Sequence, residues 1–228
     1  MKKLLVLGDI HSNYPALKAI EHQVQAHRFD GIINTGDITV YSTFPNKTIE
    51  WLRKREDALS ILGNTDQRIL RILKGKKLKK PAKEEKRVMY FWTCENLLPE
   101  NIRYLKSLPE QADFTIGNVR IGVFHDSPEN RFRELAQGSP YQIQIMGHSH
   151  TPYYKIINKV HFINPGSAGR MFDGDPRASF AILEIDGEKI NVEHFRIPYP
   201  VEKVVKGLKK NRLPDIYVKM FRKGKKLN

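Results

Sequence analysis

Cysteine is nearly missing from this 228-residue chain: Cys94 stands alone. One thiol cannot close an internal disulfide and cannot build a cysteine-based zinc site. Cys94 has no motif around it and reads as a small, partly buried apolar residue. Long apolar runs are missing too. None approaches the roughly 18 residues that a spanning helix requires. The Leu4–Leu7 run after Met1-Lys2-Lys3 is too short for a signal sequence, and Asp9 interrupts it. The expectation is a cytoplasmic protein with no membrane partner. Gly-x-Gly-x-x-Gly, a P-loop and a Ser-His-Asp set are all absent, which removes the usual carriers of dinucleotide binding, P-loop phosphate chemistry and serine acyl transfer.

Acidic residues are in short supply, 25 Asp and Glu against 39 Lys and Arg, for a net charge of +14. The excess is local. Arg68 to Arg87 holds 10 basic and 2 acidic residues, and the tail from Val201 holds another 10 and 2, so the remainder is near neutral at 14 − 16 = −2. Such segments concentrate phosphates or nucleic acid, or they are solvated faces with no ligand. The tail reads as a solvated face; the inner segment leaves both readings open.

What is present is a pattern of short apolar strands and helices. Lys3–Leu7 is a strand covered on both faces. Asn13–Arg28 has helical spacing, with Asn13 as cap and Pro15 in the first turn. A second strand at 32–33, a helix over 46–55 and a third strand over 59–62 complete a βαβαβ unit with a parallel sheet. Residues 67–73 read as a helix, 74–86 as a charged loop or lid, and 100–108 as a helix. A hairpin is expected over 114–116 and 119–124, a short helix over 130–137 and strands over 142–146, 153–157 and 160–163. A last hairpin covers 179–185 and 189–195. Two facing mixed β-sheets flanked by helices would bury all of these runs. That makes an α/β domain over residues 1–200, with 68–96 as a basic insertion or lid and 201–228 as a basic extension whose end frays.

Seven candidate ligands sit in five short clusters: Gly8-Asp9-Ile10-His11, Gly36-Asp37, Gly63-Asn64-Thr65-Asp66, Phe124-His125-Asp126 and Gly147-His148-Ser149-His150. Asp9, Asp37 and Asn64 follow three parallel strands at their carboxyl ends, where open α/β sheets place ligands. Asp9 with His11, and His148 with His150, are two apart, so on an extended chain each pair points one way. Mixed imidazole, carboxylate and carboxamide groups suit divalent ions such as manganese, iron or zinc. A neighbouring pair of such ions lowers the pKa of a shared water and clamps a phosphoryl oxygen.

In order and spacing over about residues 1–197, these motifs resemble the calcineurin-like metallophosphoesterase superfamily. The short length, Gly63-Asn64-Thr65-Asp66 and Asn164-Pro165-Gly166-Ser167 resemble its small prokaryotic phosphodiesterase branch. The resemblance implies that Asp9, His11 and His150 hold one metal, that Asp37 bridges, and that Asn64, His125 and His148 complete a second. It implies two divalent ions, manganese first with iron, nickel, zinc or magnesium as alternatives. It implies hydrolysis of a small-molecule phosphodiester by a bridging hydroxide. A phosphomonoesterase, a nuclease using the basic segments and a non-catalytic scaffold that keeps the fold are the other readings. A homodimer is left open. Two departures stand out. Thr65 replaces the histidine that in the family donates a proton to the leaving group. Asp126 follows His125 where glycine is common, and could orient its ring. Arg170 could contact a phosphate or be an ordinary surface arginine.

Overall fold

The computed structural model describes residues 1–77, 83–127 and 130–228. Its elements are β1 (Lys2–Leu7), α1 (Tyr14–Val24), β2 (Gly31–Asn34), α2 (Pro45–Arg53), β3 (Ala58–Ser60), α3 (Asn64–Leu73), α4 (Glu84–Asn96), α5 (Pro99–Ser107), β4 (Gln111–Ile116), β5 (Val119–Phe124), α6 (Phe132–Ala136), β6 (Ile143–Ile145), β7 (Tyr153–Ile157), β8 (Val160–Asn164), β9 (Ala178–Asp186), β10 (Lys189–Ile197), α7 (Val201–Lys210) and α8 (Asp215–Lys223). They form two five-stranded mixed sheets, in the orders β10-β9-β1-β2-β3 and β4-β5-β6-β8-β7. β1, β2 and β3 run parallel, as do β5, β6 and β8.

The alternation of side chains along β1 decides how the layers stack. Leu4 and Val6 enter the core between the sheets with Ile33, Ile61, Ile121, Val123, Ile143 and Ile145. Leu5 and Leu7 point the other way, into the helix-covered core with Leu17, Ile20 and Ile49. Both faces of the strand are therefore dry, which is why it reads as a continuous apolar run. A smaller cluster of Phe132, Met146, Val160 and Phe162 closes the outer face of the second sheet. Full burial of each such side chain is worth about 1.5–3 kcal/mol. Asn13 caps α1 by accepting from the Ala16 amide at 3.1 Å, as its position suggests. The helix stops at Val24, because the buried positions end there and residues 25–28 face solvent.

Two sequence expectations need correction. The inner basic segment is not a lid throughout. α4 begins at Glu84 and buries Met89, Tyr90 and Thr93 in the helix-covered core, so its second half is a structural helix. Residues 78–82 of the expected loop lie outside the described residues. Nor is the tail an appendage with a fraying end. α7 and α8 pack against each other and bury Val204, Val205, Leu208, Tyr217, Val218, Met220 and Phe221 in the same core as α1. Beyond them Gly224 takes a left-handed turn, Asp173 and Lys225 form a β-bridge, and Asn228 donates to the Tyr217 hydroxyl at 3.1 Å. The lysines and arginines sit on the opposite faces of amphipathic helices, a pattern that charge counting hides.

Phe221→Ala should lower the unfolding free energy by about 3–5 kcal/mol in a urea titration, the cost of deleting a core aromatic. A loss below about 1 kcal/mol would show the tail to be loosely docked.

Candidate metal centre

All seven sequence-predicted ligands converge at one end of the two sheets. Each lies beyond the end of a strand, and five of the seven sit on backbone that has left the extended conformation. Asp9, His11, Asp37, His148 and His150 have φ of 50°, 50°, 53°, 66° and 61°, in the left-handed region. The expectation that Asp9 with His11 and His148 with His150 lie on extended chain is therefore wrong. Left-handed backbone costs an ordinary residue about 1–2 kcal/mol and persists only where the surroundings over-determine it. Here the loops after β1 and β2 are zipped together. The amides of Asp9, His11 and Ser12 donate to the carbonyls of Gly36, Asp37 and Ile38 at 3.0, 2.9 and 2.8 Å.

Asp9, His11, Asp37 and His150 form one half of the site, with ligand atoms all within 4.8 Å of one another and every residue buried. The Nε2 atoms of His11 and His150 lie 3.2 Å apart. Asp9 Oδ1 is 3.4 Å from His150 Nε2. Asn64, His125 and His148 form the other half. Asn64 Oδ1 is 3.0 Å from both His125 Nε2 and His148 Nδ1. Asp37 joins the halves: Oδ1 is 3.4 Å from His125 Nε2, and Oδ2 is 3.7 Å from His11 Nε2.

The ring orientations are fixed from behind. Nδ1 of His11 contacts the Thr39 carbonyl at 3.1 Å, and Nδ1 of His125 contacts the Thr35 carbonyl at 2.9 Å. Nδ1 of His150 contacts the Arg170 carbonyl, and the His150 ring stacks on Phe172 at 3.9 Å. A carbonyl can only accept, so each Nδ1 carries the proton and each Nε2 presents a lone pair to the centre. Burial pushes His11 down to about 4, aided by Arg170 and opposed by Asp37, and it pushes His150 well below the ordinary range. Both rings are neutral and free to donate a lone pair. Burial raises Asp9 to about 8 against the pull of His125, with Asp37 adding to the rise. Burial also pushes Asp37 up, but His125, His11 and the Thr65 amide outweigh it, and the net direction is down.

Burial pulls His125 down, but Asp37 and Asp9 outweigh it and the net direction is up. The centre therefore gathers oxygen and imidazole donor atoms at close range. Asp9 Oδ1 is buried with no hydrogen-bond partner. His11 Nε2 faces His150 Nε2, and Asn64 Oδ1 faces His125 Nε2. Turning the Asn64 amide over would instead let its nitrogen donate to both rings and its oxygen accept from Arg68 Nη1 at 3.1 Å. Buried acceptors of this kind are normally paired. A divalent cation in each half would satisfy them, and the oxygen and imidazole donors fit such an ion.

Several residues that sequence reasoning passed over hold this arrangement. Asp66 is fully buried. Its carboxylate accepts from the amides of Ile38 at 3.0 Å, Thr39 at 2.9 Å and Gly63 at 3.1 Å, and from the Thr39 hydroxyl at 2.6 Å. It thus ties the Asp37 loop to the start of α3. The signal was there in Gly63-Asn64-Thr65-Asp66, an acid at the third helical position. The Thr65 amide donates to Asp37 Oδ1 at 2.8 Å. Gly63 allows this approach, since a Cβ there would lie 2.1 Å from Asp37 Oδ1. Asn164 donates to the Gly147 carbonyl at 2.7 Å, and Ser167 donates to the Asp9 carbonyl at 2.7 Å. The Asn164–Ser167 turn is thus a brace for two ligand loops. Asp126 does not orient His125: the Thr35 carbonyl occupies that role, and Asp126 lines a neighbouring cavity. Arg170 is no surface residue. It is 5% exposed and lines the cavity over the centre.

The sequence model of the calcineurin-like phosphoesterase superfamily domain matches residues 1–188, and the chain belongs to that superfamily. It is 28% identical to an uncharacterised protein of Methanocaldococcus jannaschii, over 93% of this chain and 94% of that one. The crystal structure of a metallophosphoesterase from Sphaerobacter thermophilus superposes with a TM-score of 0.77 at 26% identity, covering 98% of this chain and 99% of that one. A hypothetical protein from Pyrococcus horikoshii shares the fold, with a TM-score of 0.85 at 21% identity over 99% and 100% of the two chains. The chain is thus a phosphoesterase-family protein with a buried Asp-His-Asp-His cluster suited to metal. No described helix is long and apolar enough to cross a membrane.

Asp66→Asn should cost about 2–4 kcal/mol in a denaturant titration, because an amide nitrogen would face buried N–H donors left without an acceptor. A change within 0.5 kcal/mol of zero would contradict the role of Asp66 as the tie between these loops.

Proposed function

We propose that this protein is a phosphodiesterase whose centre holds two divalent cations. The observation that carries the reading is Asp37, whose two carboxylate oxygens face the two halves of the site. On this reading Asp9, His11 and His150 hold one ion, Asn64, His125 and His148 the other, and Asp37 both. Manganese is the first choice for a centre of oxygen and imidazole donors, with iron, nickel, zinc and magnesium as alternatives. Two such ions lower the pKa of water towards neutrality and neutralise charge on a phosphoryl group.

The chain's own residues supply position. The Thr65 amide holds Asp37, and the Thr35, Thr39 and Arg170 carbonyls aim three imidazoles. A cavity of about 530 Å³, lined by the apolar Phe124, Leu135 and Met146 and the polar Asp126, Ser127, Arg131, Gln144 and His148, adjoins the centre and suits the organic part of a small phosphoester. No imidazole stands at position 65 to protonate a departing alkoxide, and the buried threonine there cannot replace it near neutral pH. Turnover should therefore favour substrates whose leaving group departs as a stable anion. The single cysteine agrees with a cytoplasmic setting.

Metal analysis of manganese-loaded protein tests the assignment. Wild type should hold two ions per chain, Asn64→Ala one, and Asp37→Ala less than half of one. Hydrolysis of bis(p-nitrophenyl) phosphate should fall more than about 100-fold in Asp37→Ala, since loss of groups merely supporting a ligand already costs 10–100-fold. Equal loss of both ions in Asn64→Ala would refute the division. In an aryl diester series the rate should drop steeply as the leaving-group pKa rises, and a flat series would show that another acid serves.

A further inference from the structure

Four cationic side chains, Arg68, Lys86, Arg170 and Lys226, line the roughly 180 Å³ cavity above the centre, beside His11, Asp37, Asn64, His148 and His150. They come from α3, α4, the loop after β8 and the C-terminal end, four places far apart in the chain. Among the described residues, none of the four is paired with a carboxylate, whereas Arg55, Arg120, Arg131, Arg177, Arg196 and Arg222 each form an ion pair.

Arg170 is the most telling. It is 5% exposed, and its Nε is buried with no partner. Its guanidinium lies 3.7 Å from the Tyr41 ring centroid, 4.8 Å from Phe172 and 5.7 Å from Tyr217, and Nη2 reaches only the Met220 sulfur at 3.7 Å. Burying a charge costs several kcal/mol. A desolvated cation–π contact returns about 2 kcal/mol, which does not supply the hydrogen bonds that a guanidinium loses. Lys86 is drawn below its usual range, by burial and then by Lys226 and Arg170, so the cations feel one another. An anion among them would relieve both penalties.

A phosphodiester cannot supply that anion. Its single negative charge belongs to the scissile phosphoryl group, which the metal centre itself would take. We propose that the cationic wall binds a second phosphoryl group, and that the substrates are pyrophosphate diesters, in which two organic groups are joined through P–O–P. This rests on the metal-centre part of the phosphoesterase reading and moves the scissile bond from an ester P–O–C to an anhydride P–O–P. Water oxygen bonds to the phosphorus above Asp37, and the bond from that phosphorus to the bridging oxygen breaks. The electron pair leaves with the second phosphate, into the reach of Arg170, Arg68, Lys86 and Lys226. The two hydrogens of the water are shared between the products, two phosphomonoesters. A phosphate departs as a stable anion and needs no acid, which agrees with Thr65 in the position where a proton donor would stand.

Two measurements test this on the full-length chain. In calorimetry with chelator present, inorganic pyrophosphate should bind at least tenfold more tightly than orthophosphate. Arg170→Gln should remove that preference. So should the double variant K86Q/K226Q, whose half-buried and exposed positions keep the test available if Arg170→Gln fails to fold. With manganese, each variant should lose at least tenfold more kcat/KM on a dinucleoside pyrophosphate than on bis(p-nitrophenyl) phosphate. Equal binding of the two anions, equal losses on the two substrates, or a short oligonucleotide cleaved faster than the dinucleoside pyrophosphate would overturn the proposal. The aryl diester activity of wild type reports separately on the phosphoesterase reading.

Discussion

The structure depends on one electrostatic constraint: lone pairs are gathered in a buried space where they would repel or go unpaired unless cations sat among them. Asp9 Oδ1 without a partner and two imidazole nitrogens 3.2 Å apart are the plainest signs. Backbone carbonyls of Thr35, Thr39 and Arg170 hold the rings in this unfavourable posture. Left-handed backbone at five of the seven positions adds local cost. The rest of the fold offsets these terms. Two dry cores fix the strands, the zipped loops after β1 and β2 fix the turns, and Asp66 locks the second loop to α3.

That arrangement links the strain to the chemistry. Left-handed residues in the loops beyond β1, β2 and β6 turn the chain back over the strand ends, so groups from both sheets meet over a short distance. The same loops carry the bracing contacts of Asn164 and Ser167. Arg170 connects the centre to the C-terminal helix pair: its carbonyl receives His150, while its guanidinium rests against Tyr41 and Tyr217. The tail is therefore part of the wall above the centre as well as of the core.

Much of this is legible in the sequence, and the reasons differ by element. The seven candidate ligands stand out because most of the apolar strands lead into Gly-Asp, Gly-Asn or Gly-His, and the two-sheet architecture follows from runs that only two facing layers could bury. The geometry at Asp9, His11, His148 and His150 is not legible, because spacing of two suggests an extended chain and says nothing of φ. The second half of the inner basic segment and the tail were hidden by charge. Lys and Arg dominate those windows, while Met89, Tyr90, Tyr217 and Phe221 are too few to announce a buried face. Arg170 is ambiguous in sequence, since Tyr41, Tyr217 and Met220, which pack against it, lie far away along the chain. Asp66 was visible only as a helix-start residue; the amides of Ile38 and Thr39 that it serves come from another loop.

Anomalous diffraction at the manganese edge, on crystals grown with the ion, tests the central claim most directly. The account predicts two peaks about 3.5–4 Å apart, one enclosed by Asp9, His11 and His150, the other by Asn64, His125 and His148, with a carboxylate oxygen of Asp37 on each. A single peak, or two peaks of which neither touches Asp37, would contradict it.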